Sequence, residues 1–328
     1  EQKLKKTAII IPVKEINDYI RESLPYIEAL DYDKKLLDVI VLPDNPGVLE
    51  GNFSFSLRVI PTGHIHPGEK RDIGIKSTDA EIVAFIDDDV YPSKSWLKKA
   101  VEIFESDNDI AAVGGPAITP ENDSLLKKVS GYIYSSFLGG GGYRYRYIPE
   151  KARDVDDFPS CNLIIRKDVL EKIGGFNTEF WPGEDTVICL KIVKDLKMRI
   201  KYHPEVLVSH HRRDFPAGHI KQVKNYAMHR GYFVKRFPET SFRLSYFVPT
   251  FFVLYLAGLV PFVLLAGESA ALGFIPLILY CLLLIMDALR TPGFSYGVMT
   301  AAGIFITHLW YGVYFIKGLL SAKLDEEK

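Results

Sequence analysis

The C-terminal third of the sequence contains three long stretches without Asp, Glu, Lys or Arg, namely residues 245–267, 269–286 and 291–316. A helix needs about 20 apolar residues to cross a bilayer. We therefore predict a membrane domain of three transmembrane helices, of which the middle one is the shortest. A buried core helix is the alternative for any single stretch, but three in succession favour a membrane.

The Lys and Arg residues around these stretches predict their orientation. The approach to the first stretch is basic, Arg290 lies between the second and third, and the loop between the first and second carries only Glu268. Basic residues in short loops favour the cytoplasmic side. We therefore expect an integral protein of the cytoplasmic membrane with a cytosolic N-terminal part and a C-terminal tail, residues 323–328, outside. The basic residues before the first stretch are Lys221, Lys224, Arg230, Lys235, Arg236 and Arg243.

The net charge and the cysteines argue against a nucleic-acid-binding protein and against a scaffold held by disulfides or zinc. The 328 residues have a formal net charge of −1 and no long basic tract, so no nucleic-acid partner is expected. The three cysteines, Cys161, Cys189 and Cys281, lack the CxxC spacing of zinc sites and do not form a disulfide pattern.

We predict three parts: a globular cytoplasmic domain at 1–216, an amphipathic interfacial region at 217–244 with a helix near 217–236, and the membrane domain at 245–328.

The globular part alternates short apolar runs with helical patterns. Residues 7–12, 38–42, 57–60 and 82–86 read as strands, and the run at 82–86 is apolar throughout, as in a strand buried on both faces. Helical patterns lie between these runs. This alternation predicts an α/β fold with a Rossmann-like, mostly parallel sheet and helices on both faces.

Acidic residues follow three of these strands, at Glu15, at Asp44 and at Asp87-Asp88-Asp89. In such sheets ligands bind at the carboxyl ends of the strands. In an extended backbone Asp87 and Asp89 point the same way and Asp88 points elsewhere. Carboxylate oxygens are the ligands that Mn²⁺ or Mg²⁺ prefers, so Asp87 and Asp89 are candidate metal ligands. A solvated acidic loop is the alternative.

Two further clusters are candidates for the same site. His210 and His211 follow a predicted strand, and either could be a third metal ligand, or serve as a surface or phosphate-binding group. Glu184 and Asp185 follow Gly183 at the start of a predicted helix. Acids there complement the helix dipole, or supply a catalytic carboxylate.

Two features have both a functional and a structural interpretation. Gly139–Gly142, followed by alternating Tyr and Arg residues, predicts either a mobile lid over an anionic substrate or an ordinary flexible connection. His308, the titratable residue inside the third apolar stretch, is a functional candidate by its position, and helix packing or interfacial anchoring is the alternative.

Four motifs together resemble family 2 of the inverting nucleotide-sugar glycosyltransferases, whose fold is called GT-A. The Gly-Gly-Phe motif paired with Gly-Glu-Asp is the most specific of them. Tyr311-Gly312 is similar to membrane-bound members with three trailing helices. The four motifs are Ile9-Ile10-Ile11-Pro12-Val13-Lys14-Glu15, Lys70-Arg71-Asp72-Ile73-Gly74, Phe85-Ile86-Asp87-Asp88-Asp89, and Gly174-Gly175-Phe176 with Gly183-Glu184-Asp185.

The resemblance implies a role for each of these residues. Asp87 and Asp89 would hold the metal, and Asp185 would be the catalytic base, with Glu184 beside it. The chain departs from the family at Pro43-Asp44-Asn45, where Asp-Asp-Gly is usual. The nucleotide-sugar contacts implied are Pro12, Glu15, Asp44, Arg71, Asp87, Asp88 and Asn162.

The resemblance also implies the reaction. We expect inverting transfer of a sugar from a UDP- or GDP-sugar to a lipid-linked acceptor, either a polyprenyl phosphate or a lipid-linked glycan, at the cytoplasmic membrane face. A processive polysaccharide synthase is the first alternative, although its Gln-x-x-Arg-Trp motif is absent. A catalytically silent membrane scaffold that keeps the fold is the second.

Overall fold

The computed structural model describes residues 5–325. They divide into two compact units. The first comprises residues 5–118 and 148–211, and the second comprises residues 119–147 and 212–325. The segment 119–147, which the sequence assigned to the globular domain, thus groups with the apolar C-terminal part. The domain limits at 216 and 244 stay predictions.

Eleven strands in the described residues belong to two sheets of the first unit. Mainly apolar runs form β1, β2, β4 and β6, which are buried along their whole length. The strands are β1 Thr7–Pro12, β2 Leu37–Leu42, β3 Ser56–Val59, β4 Ile82–Ile86, β5 Val90–Pro92, β6 Ile110–Gly114, β7 Ala117–Ile118, β8 Arg153–Val155, β9 Asn162–Arg166, β10 Arg199–Tyr202 and β11 Val208–His210.

The larger sheet has the strand order β3-β2-β1-β4-β9-β6-β10-β8. Strands β1 to β4 pair in parallel, and so do β6 and β10. β9 runs antiparallel between β4 and β6, and β8 is antiparallel to β10. Six of the eight strands therefore share one direction. This confirms the predicted mostly parallel sheet.

Twelve α-helices occur in the described residues, the first three and two others in the first unit. They are α1 Asp18–Glu28, α2 Pro67–Lys76, α3 Trp96–Ser106, α4 Leu125–Ser135, α5 Phe137–Gly140, α6 Lys167–Ile173, α7 Glu184–Leu190, α8 Ala217–Arg236, α9 Pro238–Ser241, α10 Leu244–Leu265, α11 Ile275–Ala288 and α12 Phe294–Leu320. Short 3₁₀ segments lie at Lys34–Leu36, Gly141–Arg146 and Gly267–Phe274, and a π-helical turn at Lys191–Asp195 continues α7.

Helices cover both faces of the larger sheet because side chains alternate along each strand. On β1, Ile9 and Ile11 belong to a core shared with α1 and α3. Ile10 faces α2, where Gly74 lets the helix approach: a Cβ at Gly74 would lie 2.8 Å from the Ile10 side chain. The expected two-sided cover is confirmed.

The smaller sheet is short but places two parts of the chain together. Its order is β5-β11-β7. β5 directly follows the acidic run, and β11 pairs with it antiparallel, with His210 opposite Val90. The last residue of β11 is therefore held beside Asp87-Asp88-Asp89.

The second unit is helical. Three of its segments are long and apolar enough to cross a membrane: Leu244–Leu265, Gly267–Ala288 and Phe294–Leu320. The sequence-based expectation of apolar helices there is confirmed. The glycine run is ordered into α5 and the Gly141–Arg146 turn, and the Tyr143 ring stacks on Tyr246 at 5.2 Å. The lid role predicted for it stays a prediction.

Candidate active site

The acidic run forms a turn at the end of β4. Val90 donates its backbone N–H to the Asp87 carbonyl at 3.2 Å, so the chain reverses between them. Asp87 and Asp89 do converge, but this turn brings them together, whereas the sequence argument assumed an extended backbone. Asp89 is almost fully buried, and the Asp87 side chain is about one-third exposed (35%).

His210 completes a group of three possible metal ligands. One ligand atom from each of Asp87, Asp89 and His210 lies within 4.8 Å of the others. His210 Nε2 is 3.2 Å from Asp89 Oδ1. Two carboxylates and an imidazole at this spacing suit a divalent ion such as Mn²⁺, since the ion offsets the repulsion between the acids. The donor set therefore fits the metal that the resemblance implies.

His211 lies elsewhere. Its Nε2 is 3.1 Å from Glu22 Oε2 on α1, and its ring lies 4.9 Å from the Tyr19 ring. The sequence left His210 and His211 as alternatives, and the structure brings His210 to the carboxylates. Adjacent residues on a strand point to opposite sides, which separates the two imidazoles.

Arg71 on α2 joins two of the predicted clusters. Its side chain is buried, and it donates from Nη2 to Asp87 Oδ1 and from Nη1 to Glu184 Oε1, both at 2.9 Å. The guanidinium group also lies over the Phe176 ring, 5.4 Å from its centroid. Burial alone would lower the pKa of Arg71, but Asp87, Glu184 and the nearby Asp185 raise it. Arg71 therefore remains a cation.

Asp185 is a half-buried carboxylate at the start of α7. It accepts hydrogen bonds from the backbone N–H groups of Thr186 at 2.8 Å and Ser160 at 3.3 Å. Burial, followed by the negative charges of Glu184 and Asp157, raises the pKa of Asp185 to about 7, and Arg71 and the Thr186 N–H oppose that rise. A carboxyl group with this pKa can accept a proton near neutral pH.

The loop before α7 is held by Asp72, the residue after Arg71. Asp72 accepts hydrogen bonds from the backbone N–H groups of Phe176 at 2.8 Å and Asn177 at 3.0 Å. Gly175 has φ +71°, and a Cβ there would lie 2.3 Å from Asp72 Oδ1. A glycine is thus required by both conformation and space. The motif that contains Arg71 and Asp72 and the motif that begins at Gly174 are therefore held together by direct contacts.

Asp44 lies at the end of β2 beside a cation. Its carboxylate pairs with Lys70 Nζ and lies 2.8 Å from His64 Nδ1. These hydrogen bonds, that of Lys70 first, lower the pKa of Asp44. Lys70 also donates to the carbonyls of Val13 at 2.6 Å and Leu42 at 3.2 Å, and so joins the ends of β1 and β2.

Three other residues were assigned to nucleotide-sugar binding. Asp88 accepts a hydrogen bond of 2.5 Å from Asn17 Nδ2, so it points away from the metal group, as expected. Pro12 ends β1 and is buried, and Glu15 is exposed in the turn that follows. Their contacts with a donor stay predictions.

Asn162 is placed differently from the expectation. It is fully buried, its Nδ2 donates to the carbonyls of Gly115 and Val206, and its Oδ1 accepts from Trp96 Nε1, all at 2.8 Å. These bonds connect the start of β9 to α3 and to the segments that follow β6 and precede β11. We therefore leave Asn162 out of the proposed donor site.

Some participants were missed from the sequence. Lys70 and His64 contact the predicted residue Asp44. Asp72 and Asp157 hold neighbouring positions, since Asp72 accepts from the Phe176 N–H and Asp157 accepts from the hydroxyl of Thr186, the residue after Asp185. Lys70 and Asp72 flank Arg71 inside a quoted motif, which was a usable signal. Asp157 and His64 stand outside any motif, and no local pattern in the sequence indicated them.

The chain belongs to glycosyltransferase family 2. The family model described as Glycosyl transferase family 2 matches residues 8–174, just over half of the chain. This stretch includes β1, the acidic run and the loop at Gly174.

Several curated proteins are similar. A pre-mycofactocin glycosyltransferase of Mycobacterium tuberculosis is 27% identical over 148 residues, 45% of this chain and 30% of that protein. A glucosyl-dolichyl phosphate glucuronosyltransferase of Haloferax volcanii is 24% identical, over 43% of this chain and 46% of that protein. The chain thus spans less than half of either relative. The probable glycosyltransferase YdaM of Bacillus subtilis is 23% identical over 95% of this chain and 80% of that protein.

A solved structure confirms the fold. The mannosyltransferase PcManGT from Pyrobaculum calidifontis, in complex with GDP-Man and Mn²⁺, superposes with a TM-score of 0.62 and 18% identity, covering 97% of this chain and 88% of that one. The GT-A fold predicted from the motifs is therefore confirmed.

Proposed function

We propose that the chain transfers one sugar from a nucleotide-sugar donor to a lipid-linked acceptor, with inversion at the anomeric carbon. One observation carries the proposal: Asp87, Asp89 and His210 form a group that could hold a metal ion, and Arg71 links Asp87 to Glu184, the neighbour of Asp185. The group that would assist the leaving group and the carboxylate that would act as the base are thus connected through Arg71.

The donor side would use the metal group and its neighbours. Asp87, Asp89 and His210 would hold Mn²⁺ or Mg²⁺, which when bound neutralises charge on the diphosphate leaving group as a Lewis acid. Arg71 and Asp44 would contact the nucleotide, together with Pro12, Glu15 and Asp88. The Mn²⁺ and GDP-Man present in the PcManGT structure support this class of donor.

The acceptor side would use Asp185. Its raised pKa makes it able to take the proton of an acceptor hydroxyl as the new bond forms. A carboxylate that acts as a base in a single displacement leaves the anomeric centre inverted. Glu184 would keep Arg71 and the start of α7 in place through its bond to the guanidinium group.

A lipid-linked acceptor is supported by the apolar helices and by a relative. Membrane attachment concentrates the enzyme and a lipid substrate on one surface. The H. volcanii relative is named for a dolichyl phosphate substrate. The basic residues before α10 support a cytosolic position of the first unit.

The test is a transfer assay on membranes containing the full chain. Labelled UDP- and GDP-sugars are offered with Mn²⁺ or Mg²⁺, and label is followed into the organic phase. We expect Asp185→Asn to reduce transfer at least about a hundredfold while donor binding is retained. Asp168→Asn on the exposed surface of α6 is the matched control. Full turnover by the Asp185 variant would contradict the proposal, and long polymeric products would favour a processive synthase.

A further inference from the structure

The first two apolar segments form an antiparallel hairpin. Tyr255 on α10 donates from its hydroxyl to the Gly273 carbonyl at 2.7 Å, and the Phe252 ring lies 4.5 Å from the Tyr280 ring. The turn between the segments is at Gly267. The opposite end, where α10 begins at Leu244 and α11 ends at Ala288, is called here the hairpin base.

α12 contacts the hairpin base near both of its own ends. Close to its start, a Cβ at Gly297 would lie 2.9 Å from the Ala288 carbonyl oxygen. About five helical turns later, or about 27 Å along the axis, the Phe315 ring lies 4.9 Å from the Phe247 ring. Both Ala288 and Phe247 belong to the base. A helix crossing the bilayer alongside the hairpin would instead run from the base towards the Gly267 turn.

The middle of α12 reaches only part of the way along the hairpin. His308 Nδ1 lies 2.9 Å from the Tyr280 hydroxyl, and a Cβ at Gly312 would lie 2.4 Å from the Pro249 carbonyl oxygen. Tyr280 is about two turns from the end of α11, and Pro249 is less than two turns from the start of α10. α12 therefore runs across the hairpin near its base. His308 also contacts α5, since its Nε2 lies 3.1 Å from the Leu138 carbonyl.

α8 lies along the C-terminal half of α12. His219 Nε2 is 2.9 Å from Thr307 Oγ1, and Lys224 Nζ lies 3.5 Å from the centroid of the Trp310 ring. Further along, a Cβ at Gly231 would lie 2.1 Å from the Phe315 carbonyl oxygen. The two helices are therefore in close contact over their shared length.

The charges of α8 are incompatible with a membrane-crossing α12. α8 exposes Lys221, Lys235 and Arg236. A crossing α12 would carry this helix into the hydrocarbon region, where exposed charged side chains are strongly disfavoured. At the membrane–water interface the same charges stay in water, and the helices can still pack.

The exposed side of α12 is mainly apolar, and its exposed polar residues, Ser295 and Lys317, lie near the two ends of the helix. Phe294, Val298, Val313 and Leu320 are exposed, as is Trp310 to a smaller extent. At 3.6 residues per turn these five positions fall within about 160° of the helix circumference, which places them on one face. An apolar face opposite a protein-covered face is the pattern of a helix lying in the plane of the interface, with its apolar side towards the acyl chains.

We propose that only the hairpin of α10 and α11 crosses the membrane and that α12 lies in the membrane–water interface at the hairpin base, paired with α8. Residues 321–325, which follow α12, then lie on the side where α10 begins, not on the opposite side as the composition predicts. The proposal concerns the membrane part alone and does not depend on the reaction catalysed.

The test places single cysteines in the full chain in sealed membranes of known sidedness. Cys281, which is exposed, is replaced by Ala, and Cys161 and Cys189 are buried. Exposed positions are then substituted one at a time: Glu121→Cys ahead of α10, Glu268→Cys in the hairpin turn and Lys323→Cys after α12. A membrane-impermeant maleimide should label positions 121 and 323 from one side and position 268 from the other. Labelling of position 323 together with position 268 would overturn the proposal.

A second measurement reports depth. Environment-sensitive probes on Phe294→Cys, Val313→Cys and Leu320→Cys should be quenched alike by spin labels near the lipid headgroups. A probe on Leu254→Cys, at the middle of α10, should be quenched instead by labels deep in the acyl chains. If the Val313 probe matches the deep Leu254 probe while the Phe294 and Leu320 probes are shallow, α12 crosses the membrane and the proposal is wrong.

Discussion

Arg71 and Glu184 are 113 residues apart in the sequence, and Arg71 Nη1 donates a hydrogen bond of 2.9 Å to Glu184 Oε1 in the interior. The second nitrogen, Nη2, bonds to Asp87. A single buried cation thus connects the end of β4 with the start of α7. The Phe176 ring packs against the guanidinium group, and the Asp72 carboxylate accepts a hydrogen bond from the Phe176 N–H. Both contacts hold the loop before α7 against α2.

Replacing this cation should destabilise the fold. Arg71→Met leaves the buried Glu184 without its partner, and breaking a buried pair costs about 3–5 kcal/mol. We expect a drop of that size in the free energy of unfolding, measured by denaturation of the detergent-solubilised chain. Arg21→Met is the matched control, because Arg21 pairs with Asp18 on the exposed surface. The control should cost less than about 1 kcal/mol; equal losses would show that the Arg71 bonds are weak.

The two adjacent histidines should differ in their effect on metal binding. His210→Ala removes one of three candidate ligands, so we expect Mn²⁺ to bind at least about tenfold more weakly. The measurement is the rise in melting temperature as Mn²⁺ is added, because a ligand that binds only the native state stabilises it. His211→Ala should lower the starting melting temperature, since His211 contacts Glu22, and should leave the response to Mn²⁺ unchanged. The reverse result would assign the ligand to His211.

Transfer should depend on pH through Asp185. A base with a pKa of about 7 is protonated below that pH, so kcat/KM should fall about tenfold for each pH unit below 7 and level off above it. Asp157 contributes to the raised pKa of Asp185. Asp157→Asn should therefore move the midpoint of the profile to lower pH. An unchanged midpoint would show that the pH dependence of kcat/KM does not come from Asp185.

The same residue should limit stability at alkaline pH. The pKa of Asp185 is raised in the folded state, so its contribution to stability is present below the unfolded-state pKa of about 4 and is lost as the pH rises through about 7. Asp185→Asn should therefore stabilise the chain at pH 8, by an amount of the order of 1–3 kcal/mol, and by much less at pH 5. Melting temperatures of the parent and the variant at pH 8 and pH 5 test whether the substitution stabilises the chain. A variant less stable than the parent at pH 8 would contradict it.

The sequence could predict what depends on local pattern. Mainly apolar runs predicted the strands β1, β2 and β4, and the acids after them indicated the candidate site. The stop at Gly174 was also readable, since that residue has φ +76° after α6. These features arise from burial on both faces of a strand and from the backbone freedom of glycine.

What the sequence could not predict depends on partners far along the chain. Asn162 follows a strand-like pattern, but its hydrogen bonds to Gly115, Val206 and Trp96 belong to tertiary structure. The pairing of Asp44 with Lys70 was hidden for the same reason. The periodicity of apolar residues predicts which side chains are buried, but it does not predict which partners they bond to in the folded chain.

The short pairing of β11 with β5 selects the imidazole that faces the carboxylates. In the observed alignment His210 is opposite Val90 and Ser209 is opposite Tyr91. Shifting β11 by one position would turn every side chain of that strand over and present His211 where His210 now stands. β11 is the middle strand of the smaller sheet, and only three of its residues pair with β5. Insertions between β10 and β11 would therefore be tolerated only if they left this short alignment unchanged.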